Sequence, residues 1–257
     1  MLLTVDISNA VISCAVFKET KLIADFALTN QHLQCSDEYG LKLISMLQLY
    51  HLEPQAIKSA IIASVVPKTT DAFKQAISRF LKIEALVVGP GLKSIIKIHY
   101  GNPKEIGSDR IAVCAGAHVL YGGDLLVIDF STATTFELID AEGVYQGGCI
   151  APGIALQAEA LSNNTSKLPT IELKATTRVL TSDTVSAMQA GIYWGTVGMT
   201  SYLIKRFKKE HPQPLRVIAT GSYSALLIND LKEIDFFVPN LVHEGLRLIY
   251  QRNRLNS

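Results

Sequence analysis

Three aspartates stand where a carboxylate could handle phosphate or a proton. Two of them close matching apolar runs: Leu2-Leu3-Thr4-Val5-Asp6-Ile7-Ser8-Asn9-Ala10 and Leu125-Leu126-Val127-Ile128-Asp129-Phe130-Ser131-Thr132-Ala133 align without a gap at a constant offset of 123. In each copy a β-branched run reaches an aspartate, passes a Ser-containing turn and re-enters strand-like sequence, at 11–17 and at 134–139. Each copy reads as a β-hairpin with a carboxylate at its bend. Turn N–H groups bind phosphate oxygens and carboxylates hold Mg²⁺ directly or through its waters, so two such hairpins suit phosphate plus a divalent metal. The repeat suggests two related α/β halves offering these groups to a shared cleft. On the repeat alone, a second reading stays open: two ordinary buried strands with solvated end residues.

The third aspartate lies in Gly107-Ser108-Asp109-Arg110, an acid beside a base at the start of an apolar-periodic helix, where the helix dipole stabilises negative charge. A carboxylate there can accept a proton from a hydroxyl, and the neighbouring guanidinium can hold a carboxylate or phosphate bidentately. The tetrad by itself is more simply a capping aspartate with a solvated arginine. Gly147-Gly148-Cys149-Ile150-Ala151-Pro152-Gly153 reads as a tight small-residue passage, either a close approach of backbone to a ligand or another strand or a plain bulge or turn. Val217-Ile218-Ala219-Thr220-Gly221-Ser222 reads as a strand feeding a glycine turn, a place where nucleotides often lie.

The elements that must carry these residues alternate. After the first hairpin come a strand at 22–28, a helix at 36–51, a strand at 60–66, a helix opened by Pro67, a short strand at 85–88 and a helix at 105–121 stopped by Gly122-Gly123. The second hairpin follows, then a long helix capped by Asp183 and running towards Phe207, a strand at 216–219 and a closing helix at 240–252. Strands first and helices after, twice over, favour a duplicated α/β fold with mixed sheets. The expected lobes are 1–122 and 123–257, with the last helix a candidate to pack back on the first. With 257 residues, 48% hydrophobic, the chain can bury a large core. Its 24 basic and 23 acidic residues give a net charge of +1 with no basic block, against a nucleic-acid partner. No apolar run approaches a membrane span and no basic leader precedes the first one, so a cytoplasmic protein with no membrane partner is expected. Cys14, Cys35, Cys114 and Cys149 form no CxxC pair and read as reduced core thiols, and the six histidines read as surface or satisfied groups.

These segments together resemble the type III pantothenate kinases, of the actin-like, sugar-kinase and Hsp70 ATPase superfamily. The diagnostic residues are Tyr100, the 107–110 tetrad, "LVIDFSTATT" at 126–135, "GGCIAPGIALQAEAL" at 147–161, Lys167-Leu168-Pro169 and "DTVSAMQAGIYWG" at 183–195. The resemblance implies a duplicated actin-like (ribonuclease H-like) ATPase fold of two lobes with mixed sheets flanked by helices. It implies transfer of phosphate from ATP to pantothenate, the first step of coenzyme A synthesis, with Mg²⁺ and K⁺ or NH₄⁺ as cofactors. Asp109 would be the general base. Tyr100, Gly107, Ser108, Asp109, Arg110 and Thr184 would line the pantothenate pocket, and Asp6, Ile7, Ser8, Asn9, Ala10, Val11, Ile12, Ser13 and Thr132 would contact ATP. Asp129 would hold the monovalent cation and Asp6 would hold Mg²⁺ through water.

The first loop departs from the family's usual Asp-x-Gly-Asn-Thr, since Ser8 replaces the glycine and Ala10 the threonine. Ser131 replaces a second habitual glycine, and the turn Thr-Gly-Gly reads Thr220-Gly221-Ser222. Glycine supplies φ > 0 and room for a phosphate, so these changes are the support for another reading, a weakened or inactive pantothenate- or nucleotide-binding regulatory homologue. A kinase of the same fold for another small alcohol is the remaining alternative. Gly191, Gly195 and Gly198 fall at i, i+4 and i+7 of the long helix, a smooth ridge for close helix approach or for packing on the helix's own sheet. The family resemblance favours a homodimer contact there.

Overall fold

The N-terminal apolar run becomes β1 (Leu2–Ile7) because its neighbours can cover it on both faces. In the computed structural model, which describes every residue except Gln31, Tyr100, Pro103, Lys104 and 255–257, β1 pairs antiparallel with β2 (Val11–Lys18). β2 pairs antiparallel with β3 (Lys21–Thr29). Helix α1 (Ser36–Leu49) then leads to β4 (Ser59–Ser64), parallel to β1. Helix α2 (Pro67–Ala76), with proline in its first turn, leads to β5 (Ala85–Val87), parallel to β4. The sheet order is β3-β2-β1-β4-β5. Leu3, Val5 and Ile7 alternate with Thr4 and Asp6, so the odd-numbered residues join Ile12, Cys14 and Val16 against Tyr39, Leu43 and Leu47 of α1 and Phe73 of α2. Each such buried Leu or Ile contributes about 1.5–3 kcal/mol. Thr4 and Asp6 are thereby left on the opposite face.

After β6 (Lys97–Ile98) and α3 (Ser108–Tyr121), Gly122 and Gly123 stop the helix with φ of 61° and 71°, values that favour glycine. The same strand plan then recurs. β7 (Leu125–Phe130) pairs antiparallel with β8 (Ala133–Ile139), and β8 with β9 (Val144–Pro152). Helices α4 (Ile154–Asn163) and α5 (Thr184–Glu210) precede β10 (Arg216–Thr220), parallel to β7. Helix α6 (Ser224–Leu227) and β11 (Phe236–Phe237), parallel to β10, come before the closing α7 (Leu241–Arg254). The order of this sheet is β11-β10-β7-β8-β9-β6. Leu126, Ile128, Phe130 and Phe136 pack on Ile192, Tyr193, Val197 and Ile204 of α5.

By its contacts the chain forms two compact units. One comprises Met1–Lys97, Gly101–Gly116 and Val242–Ser257, the other Ile98–Tyr100 and Ala117–Leu241. The division therefore runs through α3, and the closing helix belongs with the first sheet.

The glycine-rich passage at 147–153 brings backbone close to another strand: its first six residues are the last two thirds of β9, paired with β8, with a register shift between Tyr145 and Gly147. Two expectations need correction. Cys35 is exposed at the start of α1, whereas Cys14 and Cys114 are buried as core thiols. Helix α3 begins at Ser108, three residues later than the apolar spacing predicts.

Candidate functional site

Identical sequence patterns give the two hairpins identical burial: four buried residues, a half-buried aspartate and a buried residue, Leu2 to Ile7 and Leu125 to Phe130. Asp6 and Asp129 each occupy the second position before the turn, on the sheet face away from the main apolar cluster. The turns themselves differ. Four residues, 8–11, separate the paired Ile7 and Ile12, whereas only three, 131–133, separate Phe130 and Thr134.

In the first turn the Ser8 N–H donates to the Val11 carbonyl at 2.9 Å. The Ser8 hydroxyl donates to the same carbonyl at 2.9 Å and accepts from the Val11 N–H at 3.2 Å. Ser8 is not among the residues of positive φ, so this turn does not use the freedom a glycine would bring. Beneath it lies Asn30, buried, whose amide donates to the Ser8 carbonyl at 2.6 Å and whose backbone N–H donates to the Ala10 carbonyl at 2.9 Å. The Asn30 side-chain oxygen accepts from the Tyr39 and Thr69 hydroxyls, each at 3.3 Å. Asn9, Ala10 and Val11 are exposed and Ser13 is half-buried, while Ile7 and Ile12 are wholly inside the core, so only their backbone can face a ligand.

Around the second turn the supports are backbone. The Ser131 N–H donates to the Ala133 carbonyl at 3.0 Å and the Gly153 N–H to the Thr132 carbonyl at 3.2 Å. A Cβ on Gly153 would strike the Ser131 and Thr132 carbonyls. Gly221, at φ 97°, lies so close that a Cβ there would meet the Asp129 carboxylate and the Phe130 backbone. Thr132 is the exposed tip of this turn.

Gly107 to Arg110 open α3 as follows. The Ser108 hydroxyl, buried, accepts from the Ser64 N–H at 2.7 Å and donates to the Ser64 carbonyl at 3.0 Å, which fastens the helix start to the end of β4. Asp109 and Arg110 are half-buried, and the Arg110 N–H donates to Asp109 Oδ1 at 2.9 Å. A Cβ on Gly107 would collide with that carboxylate, so the absent side chain is what lets Asp109 fold back over the helix start. A carboxylate in the first turn of a helix sits in the positive end of its dipole. Tyr100 lies outside the described residues. Thr184 is the exposed first residue of α5, whose N-cap Asp183 accepts from the Ser186 N–H at 2.9 Å, a bond that lowers the Asp183 pKa.

Asp6, Gly107, Ser108, Asp109 and Arg110 belong to the first unit, and Asp129, Thr132 and Thr184 to the second. Among the described residues no three His, Cys, Asp or Glu side chains converge as a metal cage. A Mg²⁺ ion carried by a phosphate requires only one or two carboxylates and keeps most of its waters, and a half-buried aspartate before an exposed turn fits that need. Sequence reasoning passed over Asn30, Ser64 and Thr69. Asn30 lies two residues beyond the strand predicted at 22–28, and its partners are 9 and 39 residues further along the chain.

Comparison with known proteins bears on what this arrangement does. A profile of the type III pantothenate kinase family matches residues 2–206. A type III pantothenate kinase from Dehalococcoides mccartyi is 42% identical over 253 residues, covering 98% of each chain. One from Listeria innocua is 38% identical over 254 residues, covering 99% of this chain and 98% of the relative. Among solved structures, a Sinorhizobium meliloti protein provisionally named a 2-dehydro-3-deoxygalactonokinase superposes with a TM-score of 0.63 at 10% identity, covering 98% of this chain and 96% of that one. The ethanolamine utilization protein EutJ from Carboxydothermus hydrogenoformans gives 0.56 at 15% identity, covering 96% and 89%. At such identities the likeness speaks for the fold alone, the duplicated actin-like ATPase fold.

Proposed function

We propose that this chain, which belongs to the type III pantothenate kinase family, moves the γ-phosphoryl group of ATP onto the primary hydroxyl of pantothenate, giving 4′-phosphopantothenate and ADP at the entry to coenzyme A synthesis. The observation that carries this reading is the family match over residues 2–206, joined by 42% identity along nearly the whole of a relative of that name. Asp109 is the general base in this reading. It takes the proton of the attacking hydroxyl as the oxygen bonds to phosphorus, while Arg110, Gly107, Ser108, Tyr100 and Thr184 hold pantothenate. Phosphoryl transfer asks mainly for positioning and charge neutralisation. The Ser108 bridge to Ser64 and the Arg110 N–H bond to Asp109 support the positioning, because both fix the carboxylate before any substrate arrives.

Residues 6–13 and Thr132 are assigned to the phosphates of ATP. Asp6 would hold Mg²⁺ through water and Asp129 a K⁺ or NH₄⁺ ion, and when bound these ions offset phosphate charge. The reading of a binding protein without turnover rested on Ser8, Ala10 and Ser131. Its steric support is weak here, because Ser8 sits at negative φ and its hydroxyl closes the turn. We also assign a homodimer contact to α5. Gly191, Gly195 and Gly198 are exposed and a Cβ on any of them would meet nothing within 4 Å, so the ridge is turned away from its own sheet. Release of ADP from ATP, Mg²⁺ and K⁺ with and without pantothenate tests the activity. Release that depends on pantothenate is expected, and ADP release indifferent to it would overturn the assignment.

A further inference from the structure

His243 was one histidine among six with no metal-ligand spacing, yet it is the group through which the closing helix grips the first hairpin. It is 1% exposed, and both ring nitrogens are engaged: Nδ1 lies 2.9 Å from the Thr4 hydroxyl and Nε2 lies 2.8 Å from the Ser13 hydroxyl. The Thr4 hydroxyl also donates to the Ala15 carbonyl, at 3.2 Å. A hydroxyl has a single hydrogen, so Thr4 accepts from Nδ1–H, and the bare Nε2 accepts the Ser13 hydrogen. Burial holds the ring pKa down to about 4, and the neutral ring required by this pattern is the form present at neutral pH.

The place of this bridge matters more than its strength. Thr4 faces Ala15 and Asp6 faces Ser13 in the antiparallel register, so Thr4, Ser13 and Asp6 share one sheet face and Ser13 is the cross-strand neighbour of Asp6. The same helix reaches α3 two residues further on. A Cβ on Gly245 would strike the Ala112 carbonyl, which places the α7 backbone directly against α3 one turn beyond Asp109. Arg247, 5.8 Å from the centroid of the Phe17 ring, extends the grip along β2. One helix therefore touches both the hairpin that carries Asp6 and the helix that carries Asp109, inside a single unit.

We propose that His243 is a positioning residue for the metal–nucleotide end of the reaction. With Thr4 and Ser13 it fixes the Asp6 end of the hairpin, while Gly245 fixes the same helix on α3, and the spacing between Asp6 and the base is set before substrates bind. The inference rests on the kinase reading above.

The test separates this task from simple packing. His243→Leu takes the ring from the buried Thr4 and the half-buried Ser13 hydroxyls and can fail to fold, so the informative variant is the double T4V/H243L, which replaces the two buried members of the bridge with apolar groups of similar shape and leaves Ser13, assigned above to ATP, in place. Thr4→Val alone, which loosens the ring from the end remote from the turn, is its milder companion. Calorimetric binding of MgATP, the Mg²⁺ half-saturation and the KM for pantothenate are measured on each folded variant. The expected result is MgATP affinity about tenfold weaker in the double variant and two- to threefold weaker in Thr4→Val, with the pantothenate KM unchanged within twofold. Unchanged MgATP binding in Thr4→Val or in a folded double variant would overturn the proposal, as would equal losses towards both substrates. A wild-type chain that binds no MgATP would instead remove the kinase reading itself, so the two failures are told apart.

Discussion

The two hairpins share a sequence pattern, a burial pattern and a sheet plan, but they are held by different means. The first is braced by side chains, with the Ser8 hydroxyl closing the turn and the buried Asn30 amide carrying it from below. The second is one residue shorter and is braced by main chain, at two glycines that leave no room for a Cβ. The difference explains where substitution is tolerated. A serine can replace a glycine in either turn because neither Ser8 nor Ser131 is at positive φ. The demand for glycine in the second hairpin has been placed outside the turn, as steric room at Gly153 and as a left-handed φ with close approach at Gly221.

Asparagine in place of each hairpin aspartate probes the comparison hardest. Asp6→Asn is expected to reduce kcat/KM for MgATP by about a hundredfold or more, the scale for losing a charge that acts on a transferring phosphoryl group. Asp129→Asn is expected to raise the K⁺ half-saturation by roughly ten- to a hundredfold, as when a metal site loses a key partner, with the Mg²⁺ requirement little changed. Steady-state titrations of each ion decide this. The same ion dependence in both variants would mean that the duplicated positions perform a single duty.

Stability gives the next contrast. Gly221→Ala combines a left-handed φ with a collision against Asp129 and Phe130, and should lose about 2–4 kcal/mol in urea unfolding. Asn30→Ala should lose about 1–3 kcal/mol, since it strands the Ser8 carbonyl and the Tyr39 and Thr69 hydroxyls. If instead Asn30→Ala is neutral, the first turn is not carried from below. The smallest effect belongs to Ser8→Gly with Ala10→Thr, which returns the family pattern. It gives up two turn hydrogen bonds and regains a hydroxyl, so it should change stability by less than about 1 kcal/mol and tighten ATP by no more than about fivefold. Unchanged ATP affinity would show that nucleotide does not rest on this turn.

Much of this architecture is legible in the residues. The offset repeat identifies both hairpins, Pro67 and Gly122-Gly123 mark helix limits correctly, and the alternation in 2–7 separates the aspartate face from the core face. Other features depend on contacts that an ungapped repeat does not show. The aligned copies hide the one-residue difference in turn length, because strand register is decided by which N–H meets which carbonyl and not by the order of side-chain types. β9 is hidden because its glycines and proline have poor strand propensity. Gly148 nevertheless belongs there, since a Cβ would strike the Phe136 carbonyl of the neighbouring strand. The supports of Asp109 and Asp6 are legible only in part, since Ser64 and His243 lie 44 and 230 residues from the hydroxyls they bond.

The central claim is that Asp109 takes the proton from a pantothenate hydroxyl. Its most direct test compares wild type with Asp109→Asn, following pantothenate-dependent ADP release in one assay and pantothenate binding by calorimetry in another. The account predicts binding within about twofold of wild type and turnover lower by roughly two to four orders of magnitude. Near-normal turnover in Asp109→Asn, with pantothenate bound as before, would contradict it.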